Sequence, residues 1–280
     1  MNSLKDVLEN DERFTKNKVS DEELQAWREK VEREDQERVR QALFNNRARI
    51  YKRDSVWGTS GEQTFTFQKW NPKVQPNQKL AHDIWKKSAD ITKRLFDSNF
   101  NVLFYGEAGT GKTAMVLAII DALKQHSNKL SMFVSVMDLR ELIMYDFNDN
   151  EAAIKIKNIE RSMREVDVLV LDDFGSEAGG MKNEGSATER LQQFWFRVAE
   201  ARQVKDKDGN KRYSTIVTTN NDRGDLERMY NKKIVSRLIT KKQRTQLCLT
   251  DWTMSENELS NDLYRKRQSN YARPKSVHEV

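Results

Sequence analysis

Cysteine is almost missing from this chain. Cys248 is the only one among 280 residues, which excludes an internal disulfide and any zinc site built from several thiolates. A single thiol fits a reducing compartment. Within Gln246-Leu247-Cys248-Leu249 it reads as a small buried hydrophobe. Histidine is scarce too: His82, His126 and His278 lie far apart and lack metal-ligand spacing. No apolar run approaches membrane-spanning length, and Met1 to Asp6 carries no apolar signal region, so a cytosolic protein is expected. No internal repeat or low-complexity tract is visible. Apolar residues make up 37% of the chain and charged ones 33%. The first figure is low and the second high for a globular protein, so a core can form but part of the chain must be a solvated, charged segment.

That segment lies at the N-terminus. Up to about residue 60 the chain is charged and poor in apolar runs. Ser20 and Glu23 have capping-box spacing, which predicts a helix start. Leu24, Trp27, Val31, Val39 and Leu43 form a thin stripe at helical spacing, too narrow to bury a core alone. The expected organisation is a helical partner-binding region with linker over residues 1–60, then one domain over residues 61–280. Gly58-Thr59-Ser60-Gly61 reads as the linker. Beyond it, short apolar strands are predicted at Asn101–Tyr105, Leu130–Val136, Val168–Leu171, Thr215–Thr218 and Gln246–Leu249. Helical patterns cover Lys112–His126, Met137–Phe147, Glu151–Arg164, Thr188–Gln203 and Asp225–Thr240. Continuously apolar strands that alternate with helices predict an α/β domain with a parallel sheet covered on both faces.

Gly106-Glu107-Ala108-Gly109-Thr110-Gly111-Lys112-Thr113-Ala114 follows a predicted strand and opens a predicted helix. This is the context a phosphate-binding loop requires. Its glycines let backbone N–H groups turn inward, and the helix N-terminus adds positive potential. Lys112 is placed to face the terminal phosphates of ATP, and Thr113 to give a hydroxyl to Mg2+. Val168-Leu169-Val170-Leu171 ends in two carboxylates, Asp172 and Asp173. Asp172 suits the magnesium, and Asp173 is the candidate acceptor for the proton of an attacking water. Thr218-Thr219-Asn220 ends the fourth strand at the same sheet edge. Asn220 reads either as a water- or phosphate-positioning amide or as a turn residue. Arg237, in Ile234-Val235-Ser236-Arg237-Leu238, reads either as an arginine acting on a neighbour's site or as one more basic surface residue.

Together these motifs resemble the AAA+ superfamily and, within it, replicative helicase loaders of the DnaC/DnaI type. The resemblance runs from about Phe67 to about Trp252. It rests on Phe67-Gln68-Lys69-Trp70, the phosphate loop, Leu171-Asp172-Asp173-Phe174-Gly175, Thr218-Thr219-Asn220 and Val235-Ser236-Arg237-Leu238. It implies a five-stranded parallel sheet in the order 5-1-4-3-2, with Asn220 at the sensor I position and Arg237 as arginine finger. It implies ATP and Mg2+ as cofactors, and self-assembly through the ATP site. It also implies an N-terminal region that grips a hexameric replicative DNA helicase and a core that binds single-stranded DNA. Asp173 stands where most of the superfamily has Glu, which implies slow hydrolysis or a switch rather than a motor. The charged helical N-terminus looks like that of minimal loaders, including those encoded by bacteriophages.

The expected function is therefore an ATP-controlled helicase loader. An IstB-type transposition helper has a nearly identical core and would differ in the partner it captures. A nucleotide-gated binding module would differ in lacking turnover. A DnaA-type initiator would need a DNA-binding domain after the core, and Ser255 to Val280 is short for one. The net charge of +6 and the pI near 9.2 suit a polyanionic partner. Two basic clusters are candidates for backbone contact: Lys232, Lys233, Lys241, Lys242 and Arg244, and Arg265, Lys266, Arg267, Arg273 and Lys275.

Overall fold

The structure, a computed structural model, describes residues 20–59, 61–75, 77–145, 150–176, 188–239 and 245–249. The second basic cluster, most of the first and Trp252 lie outside them. The chain divides into two compact units, Met1–Arg49 and Ile50–Val280.

Helix α1 (Asp21–Asp54) starts at the predicted cap. The Glu23 N–H donates to Ser20 Oγ at 3.2 Å, and the Ser20 N–H donates back to Glu23 Oε2 at 3.0 Å. Acidic residues fill its first turn and Lys52 and Arg53 its last, as the helix dipole favours. Within the first unit Leu24, Trp27 and Val31 are half-buried, whereas Val39 and Leu43 are 59% and 61% exposed.

In the second unit the order is α2 (Gln78–Asp97), β1 (Val102–Tyr105), α3 (Lys112–His126), β2 (Ser131–Ser135), α4 (Val136–Tyr145), α5 (Asn150–Glu165), β3 (Val168–Asp172), α6 (Glu189–Ala201), β4 (Ser214–Thr219), α7 (Arg223–Met229), α8 (Lys232–Leu238) and β5 (Gln246–Cys248). All five strands are parallel, in the order β2-β3-β4-β1-β5, which is the expected sheet read from its other edge. Val168 and Val170 pack on one face with Phe104, Ile216 and the α2 and α3 residues Ile84, Ile91, Leu95, Met115 and Ile119. Leu169 and Leu171 alternate to the other face and are equally buried. That double coverage is why these strands are apolar throughout.

Three features differ from the sequence expectation. Helix α2 was not anticipated. Asn77 caps it by accepting from the Leu80 N–H at 3.0 Å, and Ala81, Ile84, Ile91 and Leu95 form its buried face. The predicted helix Asp225–Thr240 is two helices. The chain breaks at Tyr230, whose ring stacks on Phe174 with centroids 4.7 Å apart, and Asn231 caps α8. Residues 50–57, ahead of Gly58, belong to the second unit. Tyr51 and Asp54 are buried, and Ser162 donates to Asp54 from α5. The Val56 N–H donates to Phe133 O at 2.9 Å and the Ser135 N–H to Val56 O at 2.8 Å, which closes the edge of β2. Trp57 stacks on Phe133 at 4.2 Å.

Candidate nucleotide site

β1 ends at Tyr105 and α3 begins at Lys112, so Gly106 to Gly111 form the turn between the strand and the helix. Gly106, Gly109 and Gly111 all have positive φ, at 148°, 78° and 87°. Gly111 needs that freedom twice over: it occupies the left-handed region, and Trp70 packs against its bare Cα. Beside Gly109 there is open space where a Cβ would stand, so the loop is an open cradle there. Thr110 Oγ1 closes the turn on Glu107 O at 2.8 Å. Ala114 continues α3 in its first turn.

Lys112 is buried, and its ammonium is saturated. Nζ donates to Gly106 O at 2.9 Å, to Glu107 O at 2.7 Å and to Asn220 Oδ1 at 2.7 Å. An ammonium has three N–H groups, and all three are used. Burial pulls its pKa below the ordinary lysine value, with Asp173 and Asp172 opposing that shift.

The two acids at the end of β3 have different surroundings. Asp172 is held from both sides: Thr113 Oγ1 lies 3.0 and 3.1 Å from its two oxygens, and Thr218 Oγ1 donates to Oδ1 at 2.7 Å. Burial nevertheless holds its carboxyl above the usual range, against those hydroxyl bonds. Asp173 lies just past the strand end with φ 59°, a left-handed conformation that Asp tolerates better than most residues. Its N–H donates to Thr218 Oγ1 at 2.8 Å, and its Oδ1 accepts from Asn220 Nδ2 at 3.0 Å. The Phe174 N–H donates to Thr218 O at 2.8 Å, which fixes the acidic turn to the end of β4.

The fold thus brings the loop, Lys112, Thr113, Asp172, Asp173 and Asn220 to one sheet edge. Arg237 is not among them. It sits in the last turn of α8, where its carbonyl accepts from Asn101 Nδ2 at 2.8 Å, just before β1. The phosphate loop leaves the other end of β1, about 13 Å away for four extended residues. The Arg237 guanidinium pairs with Glu200 at 2.7 Å and lies over the Phe196 ring at 5.5 Å. Cys248 is half-buried on β5, paired in register with Tyr105.

Sequence reasoning passed over two residues of this site. In the sequence Thr218 stands out only as part of the motif that ends in Asn220, yet its one hydroxyl holds both acids. A hydroxyl is at once donor and acceptor, so it suits the step from carboxylate to backbone N–H. Trp70 enters the sequence reading only as the end of Phe67-Gln68-Lys69-Trp70. Its indole N–H donates to Ala81 O at 3.1 Å, which sets the ring edge against Gly111.

The residues present fit a nucleoside triphosphate with magnesium. The cradle is open at Gly109, a cation lies behind it, and a hydroxyl and a carboxylate converge beside it. Among the described residues there is no cluster of three or more His, Cys, Asp or Glu side chains that would hold a metal by itself.

The model of the ATPase family associated with various cellular activities (AAA) matches residues 102–242. The chain belongs to this family. The match runs from β1 past the end of α8, and leaves α2 and β5 of the second unit outside it. No curated protein sequence matches the chain. It is similar to solved structures. One is a DNA replication initiation factor, at 16% identity and a TM-score of 0.47 over 76% of this chain and 56% of that one. Another is AMPPCP-bound DnaA from Aquifex aeolicus, at 17% and 0.47 over 77% and 59%. A third is the DnaC helicase loader, at 17% and 0.44 over 66% and 97%. The chain therefore spans less than two thirds of the two initiator chains. Among the described residues no helix is long and apolar enough to cross a membrane.

Proposed function

We propose that this AAA protein loads a hexameric replicative DNA helicase onto single-stranded DNA under the control of ATP. Bound magnesium–ATP supplies the phosphoanhydride to be cleaved and the counter-charge to its phosphates. Gly106 to Gly111 would cradle the phosphates, Lys112 would face the terminal ones, and Thr113 with Asp172 would hold the magnesium. Asp173 would accept the proton of the attacking water, and Asn220 would orient that water. Arg237 is too far from its own loop to act there. In this reading it serves a neighbouring subunit, and ATP then favours self-assembly.

The observation that carries the loader reading is the pairing of a phosphate site with a long charged helix that leads into the ATPase unit. Val39 and Leu43 lie one turn apart on α1 and are both exposed. Apolar residues so placed on an otherwise charged helix form a docking stripe.

The test uses the full chain and a purified bacterial hexameric replicative helicase. Val39→Asp with Leu43→Asp should abolish co-elution with the helicase and leave ATP turnover at the parent level. Binding to labelled single-stranded DNA should weaken steeply with added salt, as contact with the backbone requires. A parent chain that binds no such helicase, but does bind a transposase and duplex DNA, would make it a transposition helper instead. Helicase capture gated by nucleotide without any turnover would make it a binding module.

A further inference from the structure

Helix α1 carries more charge segregation than its own dipole accounts for. Residues 21–35 hold seven acids against three bases, and residues 36–49 hold four bases against one acid. A helix dipole favours acids in the first turn and bases in the last, and its effect fades beyond them. Here the acids run through one half of the helix and the bases through the other. The apolar residues follow the same symmetry. Trp27 and Val31 lie eight and four residues before Asp35, and Val39 and Leu43 lie four and eight after it. Val39 and Leu43 are exposed, and Trp27 and Val31 are half-buried.

From this we infer that α1 pairs antiparallel with α1 of a second copy of this chain, about a two-fold axis at Asp35. In that register Trp27 meets Leu43 of the second copy and Val31 meets Val39. A stripe too thin to bury a core on one helix is then covered by its own counterpart. Asp21 falls beside Arg49 and Glu32 beside Arg38, so opposite charges flank the seam on both sides of the axis. All four residues are exposed. A parallel pair would set acid against acid and base against base, so charge selects the antiparallel arrangement. Asp35 meets its own copy at the axis, where Arg38 of the same helix already pairs with it. The stripe advances by about four residues per step, more than the 3.6 of one helical turn, so two helices that follow it wind right-handed. Such an interface uses one patch twice and closes at two copies. The inference goes beyond the loader reading and does not rest on it, because it concerns the chain alone. Pairing covers Val39 and Leu43, so a second copy and a helicase exclude one another on this stripe.

Analytical ultracentrifugation of the full chain in nucleotide-free buffer reads the pairing apart from assembly through the ATP site. The parent should form a dimer whose dissociation constant rises with salt, as exposed ion pairs require. Asp21→Lys with Glu32→Lys should weaken that dimer by about tenfold or more, because each opposed pair becomes a repulsion. Arg38→Glu with Arg49→Glu should weaken it in the same way. An equimolar mixture of the two variants should regain a mixed dimer near the parent's affinity, since all the flanking pairs are opposed again. That recovery also separates lost pairing from a damaged helix. A parent chain that stays monomeric overturns the pairing. So does a charge-reversed variant as dimeric as the parent, which a parallel pair would give, and so does a mixture that fails to regain the dimer. Failure of the loader reading looks different: the dimer would form as described, and no replicative helicase would compete with it.

Discussion

The edge of the Trp70 indole occupies the space that any side chain on Gly111 would need. A Cβ built there would stand 2.9 Å from Cζ3 and 3.0 Å from Cη2. Trp70 is itself buried and tied through its N–H to Ala81 O. The ring cannot retreat without breaking that bond, so the start of α3 is held against the short turn Phe67–Lys69 that Trp70 ends.

Gly111→Ala should therefore fail for two separate reasons. The left-handed φ of 87° costs about 1–2 kcal/mol for an alanine, and the methyl meets the indole besides. A lower melting temperature and weaker nucleotide binding are expected. Adding Trp70→Leu should recover part of the nucleotide affinity by making room, while the backbone cost remains. No recovery in the double variant would show that the collision is unimportant.

Asp172 is a half-buried carboxyl whose pKa is raised in the folded chain. The unfolded chain gives up that proton at lower pH than the folded one. The stability that Asp172 contributes is therefore present below the ordinary carboxylate pKa and is lost as pH rises through the raised value. Asp172→Asn removes this charge. In metal-free buffer its melting temperature should match or exceed the parent's at neutral pH. The extra stability that magnesium–ATP gives the parent should disappear. A variant still stabilised by magnesium–ATP as strongly as the parent would take Asp172 out of the metal site.

Asp173→Asn should separate binding from turnover. Asn tolerates the left-handed backbone at this position and keeps the size, but it accepts no proton. ATP affinity should stay within a few-fold of the parent's, while single-turnover hydrolysis falls by about a hundredfold. Normal turnover would move the base elsewhere.

Arg237→Ala should leave nucleotide affinity in the isolated subunit unchanged, since the residue lies at the far end of β1 and pairs with Glu200. It should lose the part of turnover that rises with protein concentration, which for an arginine finger is a factor of about 10³ or more. A mixture with Lys112→Ala protein should regain some activity, because each variant supplies the group the other lacks. Concentration-dependent turnover in Arg237→Ala equal to the parent's would leave Arg237 as a surface ion pair.

Much of this was legible in the sequence because it depends on neighbours along the chain. The apolar strands, the Lys112–His126 helix and the Ser20–Glu23 cap are set by periodicity and by spacings of a few residues. The phosphate loop is legible for the same reason: strand, glycines, lysine and helix are contiguous. Other features depend on residues far apart and could not be read. Tyr230 breaks the predicted Asp225–Thr240 helix because Phe174 is there to stack on. Thr218 joins the acidic turn 45 residues earlier, and Asn220 reaches Lys112 across 108 residues. Val56 closes the edge of β2 only because β2 is an edge strand. The sequence by itself determined which residues carry phosphate chemistry, because those residue types and spacings are local. Only the tertiary structure decided which of them meet: strand order fixes the neighbours of each strand end. It set Asn220 between the cation and the acid, and kept Arg237 a strand's length from its own site.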